Sequence, residues 1–386
     1  MQQKVTYKVL IVALVVMTAL VTGLVVATAQ DEEPLVIGAT VPTLDAQFWN
    51  QYVEFMREGA EAYGIELVVL NADNNPDTMA SNIEDLVARG VDGLIHVPYW
   101  NTGIKALNDT AFSGTPVIMT DVYLDNINPQ DADFPNYLAF IGPSDEAAGY
   151  AMATTLFEEM RARDMEMVVG VVDGTPGTSV AIDRRAGFDR ALAENPDVTL
   201  AGAVNGNFVR DTSQEAFAAL YQGNPEIRGV WAANGGTATG VIVALQNAGV
   251  TPGEDVLVVG MDLNPENVVA VEDGSLLFDI GGHWLQGGFA LVLMHDFLNG
   301  LEIPADQANV QLDLLPLTVD LVEQFRADFP EGVPAYDWQE RSRVFNADAP
   351  PATFELEYST MGDDAMDDAM GDAMEEEPEA TAEAGS

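Results

Sequence analysis

One pattern constrains this chain more than any other. From Leu35 onward, short β-rich apolar runs alternate with polar turns and amphipathic stretches of helical spacing. The runs Leu35–Val41, Ile65–Leu70, Gly93–Val97 and Pro116–Thr120 read as strands. Between them, Phe48–Tyr63, Asp77–Ala88 and Thr102–Phe112 carry helical periodicity, the first two closing at Gly64 and Gly90. This alternation is the mark of βαβ units and parallel sheets. It then starts afresh: Tyr137–Ile141, Glu166–Val172, Val198–Val204, Gly229–Ala232, Val256–Gly260 and Leu276–Ile280 are strands with helices between them, including Asp145–Arg161 and Leu285–Leu298. The expected fold is α/β, with two doubly wound parallel-sheet lobes. An eight-fold barrel is the competing arrangement, and the strand count and the restart speak against it.

The N-terminus has the order of a secretory signal peptide. Lys4 and Lys8 precede an apolar run, Val9–Val26, and Ala27-Thr28-Ala29 supplies small residues before Gln30-Asp31-Glu32-Glu33. Residues 1–29 are therefore read as a signal. Its apolar run approaches the length needed to span a bilayer, so an uncleaved anchor stays open. Either fate puts the folded part across the cytoplasmic membrane, in the periplasm or at the cell surface. The chain has no cysteine, which excludes disulfides, thiolate metal sites and a lipid-modified cleavage point.

The charge is extreme: 62 acids against 15 Lys and Arg, a formal net of −47. Removing the two leader lysines and the 12 acids beyond Phe354 leaves 50 acids against 13 bases. Such a surface repels nucleic acid and anionic lipid. It suits a cationic partner, or hydration in high salt. The last segment, 355–386, repeats Asp-Ala-Met and is read as a solvated acidic tail, since it cannot bury enough apolar surface to fold. It lacks the spacing and turn glycine of a Ca²⁺ loop.

A search for catalytic patterns returns little. The chain contains no H-E-x-x-H, no G-x-S-x-G and no P-loop. Its three histidines, His96, His283 and His295, are dispersed and give no zinc pattern. No catalytic residue, metal or cofactor is expected. The informative residues stand just past the predicted strands, where α/β sheets place ligands. They are Asp45, Phe48 and Trp49 after the first, Asp121 after the fourth, then Asn207 and Phe208, Asn234, and Asp262. Carboxylates accept hydroxyl hydrogen bonds, amides donate and accept, and a ring face covers the C–H side of a sugar. Any one of these alone is better read as a cap or a core aromatic. Their recurrence at five strand ends is the signal.

Several blocks extend this reading: IGATVPTLDAQFW, EDLVARGVDGLIHVP, TPVIMTD, GTSVAIDRRAGFDRAL, VWAANG, ALQNAGV and VLVVGMDLNPE. In type and order they resemble the ribose-type periplasmic binding proteins of bacterial ABC importers, from about Leu35 to about Val319. The resemblance implies two lobes joined by three crossovers, residues 34–144 plus 283–311 and residues 145–282 plus 312–354, with the ligand in the cleft. It implies that Phe48, Trp49 and Phe208 cover the sugar and that Asp121, Asn234 and Asp262 bind hydroxyls. It implies a structural role for Arg184 and a capping role for Asp145. Val122, Ile182, Gly235 and Gly282 depart from the pattern, each standing where the family often carries Arg, Arg, Asp or Gln. Trp100, Arg184, His283 and Trp284 become further candidate contacts. The implied protein is a monomer that captures a sugar-like solute and delivers it to a membrane permease, without nucleic acid. A receptor signalling to a membrane sensor has the same fold and pocket, and a secreted sugar-modifying enzyme is the third class.

Overall fold

The structure, a computed structural model, describes residues 34–330, 334, 336–349 and 358. The signal segment 1–29 and, apart from Tyr358, the tail lie outside the described residues.

Two six-stranded sheets organise the chain. The first holds β1 (Val36–Val41), β2 (Glu66–Asn71), β3 (Gly93–His96), β4 (Val117–Thr120), β5 (Tyr137–Pro143) and β11 (Asn309–Leu312), in the order β11-β5-β4-β3-β1-β2, all parallel. The second holds β6 (Val168–Asp173), β7 (Thr199–Asn205), β8 (Gly229–Ala232), β9 (Leu257–Asp262), β10 (Phe278–Gly281) and β12 (Leu315–Leu317), in the order β12-β10-β9-β8-β6-β7. Only the edge pair β10–β12 is antiparallel. The barrel alternative is thereby excluded. Central strands such as β3, β4, β8 and β9 are buried along their whole length, which is why they read as unbroken apolar runs.

The helices form where the spacing predicts. Helix α1 (Gln47–Tyr63) buries Phe48, Trp49, Tyr52, Val53, Phe55 and Met56 on one stripe and ends in a left-handed turn at Gly64. Helix α2 (Pro76–Arg89) starts with Pro at its first position, and the Asn75 side chain accepts from the Asp77 and Thr78 amides. Helix α3 (Thr102–Ala111) completes this half. In the second half, α4 (Asp145–Ala162) and α5 (Ser179–Glu194) cross at two glycines. A methyl group on Gly149 would collide with the Arg184 carbonyl oxygen, and one on Gly187 with the Glu146 carbonyl oxygen. Close backbone approach is what glycine permits here, and it sets Asp145 beside Arg184. Helices α6 (Arg210–Gly223), α7 (Gly235–Asn247), α8 (Pro265–Glu272) and α9 (Gln286–Leu298) follow.

The chain passes between the sheets at residues 143–145, 281–286 and 312–315. Beyond β12, helix α10 (Val322–Asp328) packs near α8. The segment that follows departs from the expected division. Residues 336–349, assigned by sequence to the lobe of 145–282, pack on the first. The Trp338 ring in α11 (Trp338–Arg341) sits 4.7 Å from that of Phe55, Tyr63 donates to the Trp338 carbonyl at 2.6 Å, and Ser342 donates to Asp296 at 2.6 Å. The physical reason is an apolar patch on α1 and α9, where Gly59 and Gly288 leave room for the indole. Nothing in the local periodicity of 336–349 foretells this.

Candidate functional site

Both sheets aim the carboxyl ends of their strands at one cavity of about 500 Å³ between them. From the first sheet come Thr43 and Asp45 after β1, Phe48 and Trp49 at the start of α1, Tyr99 and Trp100 after β3, and Asp121 after β4. From the second come Asn207 and Phe208 after β7, Asn234 after β8, and Asp262 at the end of β9. Arg184 enters from α5 and His283 from the second crossover. The backbone is turned sharply at these strand ends. Trp100, Asp121, Asn207, Phe208 and Asp262 have φ values of 54°, 69°, 55°, 60° and 114°. Such strained positions in non-glycine residues cluster at functional sites.

Arg184 is the electrostatic centre. It is 3% exposed, and its Nε donates to Asp145 Oδ1 at 2.7 Å. One terminal nitrogen donates to the Ala233 carbonyl at 2.9 Å, and the other approaches His283 Nε2 at 3.4 Å. The guanidinium also lies 5.7 Å from the Phe208 ring centre. Three buried carboxylates surround this one cation. Burial pushes the Asp145 and Asp262 carboxyls up to about 7, although the Arg184 charge pulls both down. Asp121 is raised by burial as well, against the pull of Arg184 and a hydrogen bond from Gln286 Nε2 at 3.1 Å. Burial and the Arg184 charge hold His283 well below its ordinary range, so the imidazole is neutral.

Asp262 Oδ2 accepts from the Gly235 amide at 3.0 Å and from Asn264 Nδ2 at 3.3 Å. Asn234 Oδ1 caps α7 by accepting from the Thr237 amide at 2.8 Å, leaving its amide nitrogen to the cavity. Phe48 lies 4.8 Å from Trp49 and 4.6 Å from the His283 ring, so an aromatic wall closes one side. Two hydrogen bonds tie the halves together at the rim. Tyr123 donates to Asp183 Oδ2 at 2.9 Å, and the Glu266 amide donates to Gln47 Oε1 at 3.4 Å.

Of the residues singled out by sequence, Asp45, Phe48, Trp49, Trp100, Asp121, Arg184, Phe208, Asn234, Asp262 and His283 all line this cavity. Trp284 does not: it is wholly buried and packs edge-on against Phe55. Asp145 is no side-chain cap; the capping position is Ser144, and the carboxylate is committed to Arg184. Of the departures, Val122 is buried and Ile182 faces solvent. Sequence reasoning missed Tyr99, Thr239, Asn264 and Asn267, which also line the cavity. Asn264 and Asn267 had a signal, since they follow Asp262 by two and five positions at the same strand end. Tyr99 and Thr239 had none. His96, which accepts or donates to Thr40 at 2.6 Å and Thr102 at 3.0 Å, is a core residue whose burial lowers its pKa to about 3.

Comparison with known proteins places this geometry. Residues 37–301 match the family model described as a periplasmic binding protein domain. The ribose import binding protein of Bacillus subtilis is 25% identical over 275 residues, covering 71% of this chain and 85% of that protein. The xylitol-binding protein of Mycolicibacterium smegmatis is 28% identical, covering 68% and 70%. The crystal structure of a periplasmic sugar-binding protein from Pseudomonas fluorescens superposes with a TM-score of 0.73 at 26% identity, covering 84% of this chain and 97% of that one.

Proposed function

The chain belongs to the periplasmic binding protein domain family, and from that premise we propose that it is an exported receptor that closes on a neutral, hydroxyl-rich solute, a sugar or polyol, and hands it to the permease of an ABC importer. One observation carries the reading: aromatic faces, carboxylates and amides from the strand ends of two separate sheets converge on a single cavity. Phe48, Trp49 and Phe208 offer flat apolar surfaces to a ring's C–H face. Asp121 and Asp262 accept hydroxyl protons, and Arg184 and the Asn234 amide donate to ring or hydroxyl oxygens. Three carboxylates around one arginine oppose an anionic solute, so a ligand that brings hydroxyl donors is favoured.

Enclosure follows from the two-sheet design. A solute touching both halves binds the closed arrangement better than the open one, and that difference in affinity drives closure. The Tyr123–Asp183 and Gln47–Glu266 bonds at the rim belong to the closed arrangement. The permease then reads the closed shape, which bound cargo favours. The curated relatives are named as binding proteins for ribose and xylitol, and we assign this chain a transport role without catalysis. The leader sequence supports export.

Thermal unfolding in moderate salt, screened against pentoses, hexoses, polyols, amino sugars and small cations, tests this. A ligand at a hundredfold excess over Kd stabilises the folded state by about 2.7 kcal/mol. A saturable rise in Tm with one sugar or polyol, lost in Asp262→Ala and Asp121→Ala, is the expected result. A rise with cations alone, or none with a protein shown to be folded, refutes the assignment.

A further inference from the structure

The second-sheet wall of the cavity contains polar atoms that the protein itself leaves unused. Asn267 is 1% exposed, yet neither its Oδ1 nor its Nδ2 meets a hydrogen-bond partner. Its amide faces the Asp279 carboxyl, which it helps to hold down against burial, without the geometry of a full hydrogen bond. Asn264, 5% exposed, spends Nδ2 on Asp262 and leaves Oδ1 without a partner. Both residues line the cavity. A buried polar atom left unpaired is costly, so two neighbouring side chains that carry such atoms mark a place built to receive something.

Gly235 lies directly against them. A Cβ at this position would stand 2.6 Å from Asn264 Nδ2 and 2.9 Å from both amide atoms of Asn267. The backbone of Gly235, the first residue of α7, is not among the positive-φ glycines, so no left-handed turn demands glycine here. What the missing side chain permits is close packing of the two amides on the backbone.

We propose that Gly235, Asn264 and Asn267 form a subsite for a neutral hydroxyl-bearing arm, a hydroxymethyl group or a short diol, projecting from the body of the bound solute. This rests on the sugar or polyol reading of the cavity. The chemistry selects the group. Two amide oxygens need donors, and one amide nitrogen needs an acceptor. A hydroxyl donates once and accepts twice, so it serves an amide oxygen and Asn267 Nδ2 together, and a second hydroxyl serves the remaining oxygen. A carboxylate brings acceptors only and would face two amide oxygens beside Asp262. A methyl group satisfies none of the three atoms. The preferred ligands are therefore larger than an unadorned pentose ring and are discriminated by the terminal hydroxyl.

Isothermal titration of the full chain with matched pairs tests the subsite: D-galactose against D-fucose, and D-glucose against 6-deoxy-D-glucose and against D-xylose. For whichever pair binds, the member with the hydroxyl arm is expected to bind roughly tenfold to a hundredfold more tightly. In Gly235→Ala, whose methyl displaces both amides, and in Asn267→Ala, which removes one, that ratio is expected to fall toward one, with melting curves confirming that each variant is folded. A ratio near one in the unaltered protein, or a ratio untouched by both variants, overturns the subsite and leaves the sugar assignment standing. Failure of every sugar and polyol to bind overturns both.

Discussion

Replacing Arg184 with Met removes the one cation among three buried carboxylates while keeping most of the side-chain volume. The loss can be worked from the geometry. With Nε 2.7 Å from Asp145 Oδ1, the charge centres are about 4 Å apart, and at an effective dielectric near 20 their attraction is about 4 kcal/mol. The same substitution strands the Ala233 carbonyl, which now accepts from a guanidinium nitrogen at 2.9 Å. Removing one partner of a buried pair costs about 3–5 kcal/mol, because the other charge stays desolvated. Asp145 is already raised to about 7 by burial with the arginine present. Without it, the carboxyl rises further and protonates at neutral pH. The cost of Arg184→Met is thus expected to be about 3–5 kcal/mol at pH 8 and smaller at pH 5, where Asp145 is protonated in both proteins. Urea unfolding at the two pH values measures it. Adding Asp145→Asn should restore part of the loss at pH 8, since the carboxylate bonded to the arginine is gone while Asp121 and Asp262 still lack their counter-charge. A cost below about 1 kcal/mol at pH 8, or a double variant no better than the single, would show that the pair is not what holds α4 to α5.

Burial raises Asp262 to about 7; its stabilising contribution is full below the unfolded carboxylate range near 4 and is lost as pH rises through 7, so unliganded protein is expected to unfold at lower urea at pH 8 than at pH 5.5. Binding runs the other way: a hydroxyl donates to the ionised carboxylate, so affinity by titration calorimetry should fall by up to about tenfold per pH unit below 7 and be flattened in Asp262→Asn. Tyr123→Phe deletes the rim bond to Asp183 and is expected to weaken ligand binding about two- to fivefold, because that bond joins the two halves over the cavity; equal affinities would remove it from closure. Trp338→Ala empties the patch over Phe55 and Gly59 and should destabilise by about 3–5 kcal/mol in denaturant; a neutral result would mean the 336–349 segment adds nothing to the first lobe.

Much of the fold was legible because its signal is local. Val117–Thr120 and Gly229–Ala232 sit in strands buried on both faces, and that burial shows directly as short apolar runs bounded by turns. The amphipathic stripe of α1 and the glycines at 64 and 90 fixed where helices lie and end. The edge strands β11 and β12 escaped, since four and three residues carry too little periodicity to separate from loop. The same holds for Trp338, whose place on the first lobe depends on a gap between α1 and α9 that no run of residues announces.

The candidate site divides along the same line. That Asp121, Phe208, Asn234 and Asp262 belong together followed from chain order, because parallel strands with helical crossovers bring all their carboxyl ends to one side. What each side chain does there was decided in three dimensions. Asp145 looked like a cap and is an ion-pair partner, because two helices approach at Gly149 and Gly187. Trp284 looked like a contact and is core, because the crossover turns its ring inward against Phe55. Asn264 and Asn267, with their unpartnered amide oxygens, stand where they do because Gly235 has no side chain to exclude them. A sequence specifies which residues stand at the strand ends; desolvation, hydrogen bonding and empty volume depend on neighbours distant in the chain, and those exist only once it has folded.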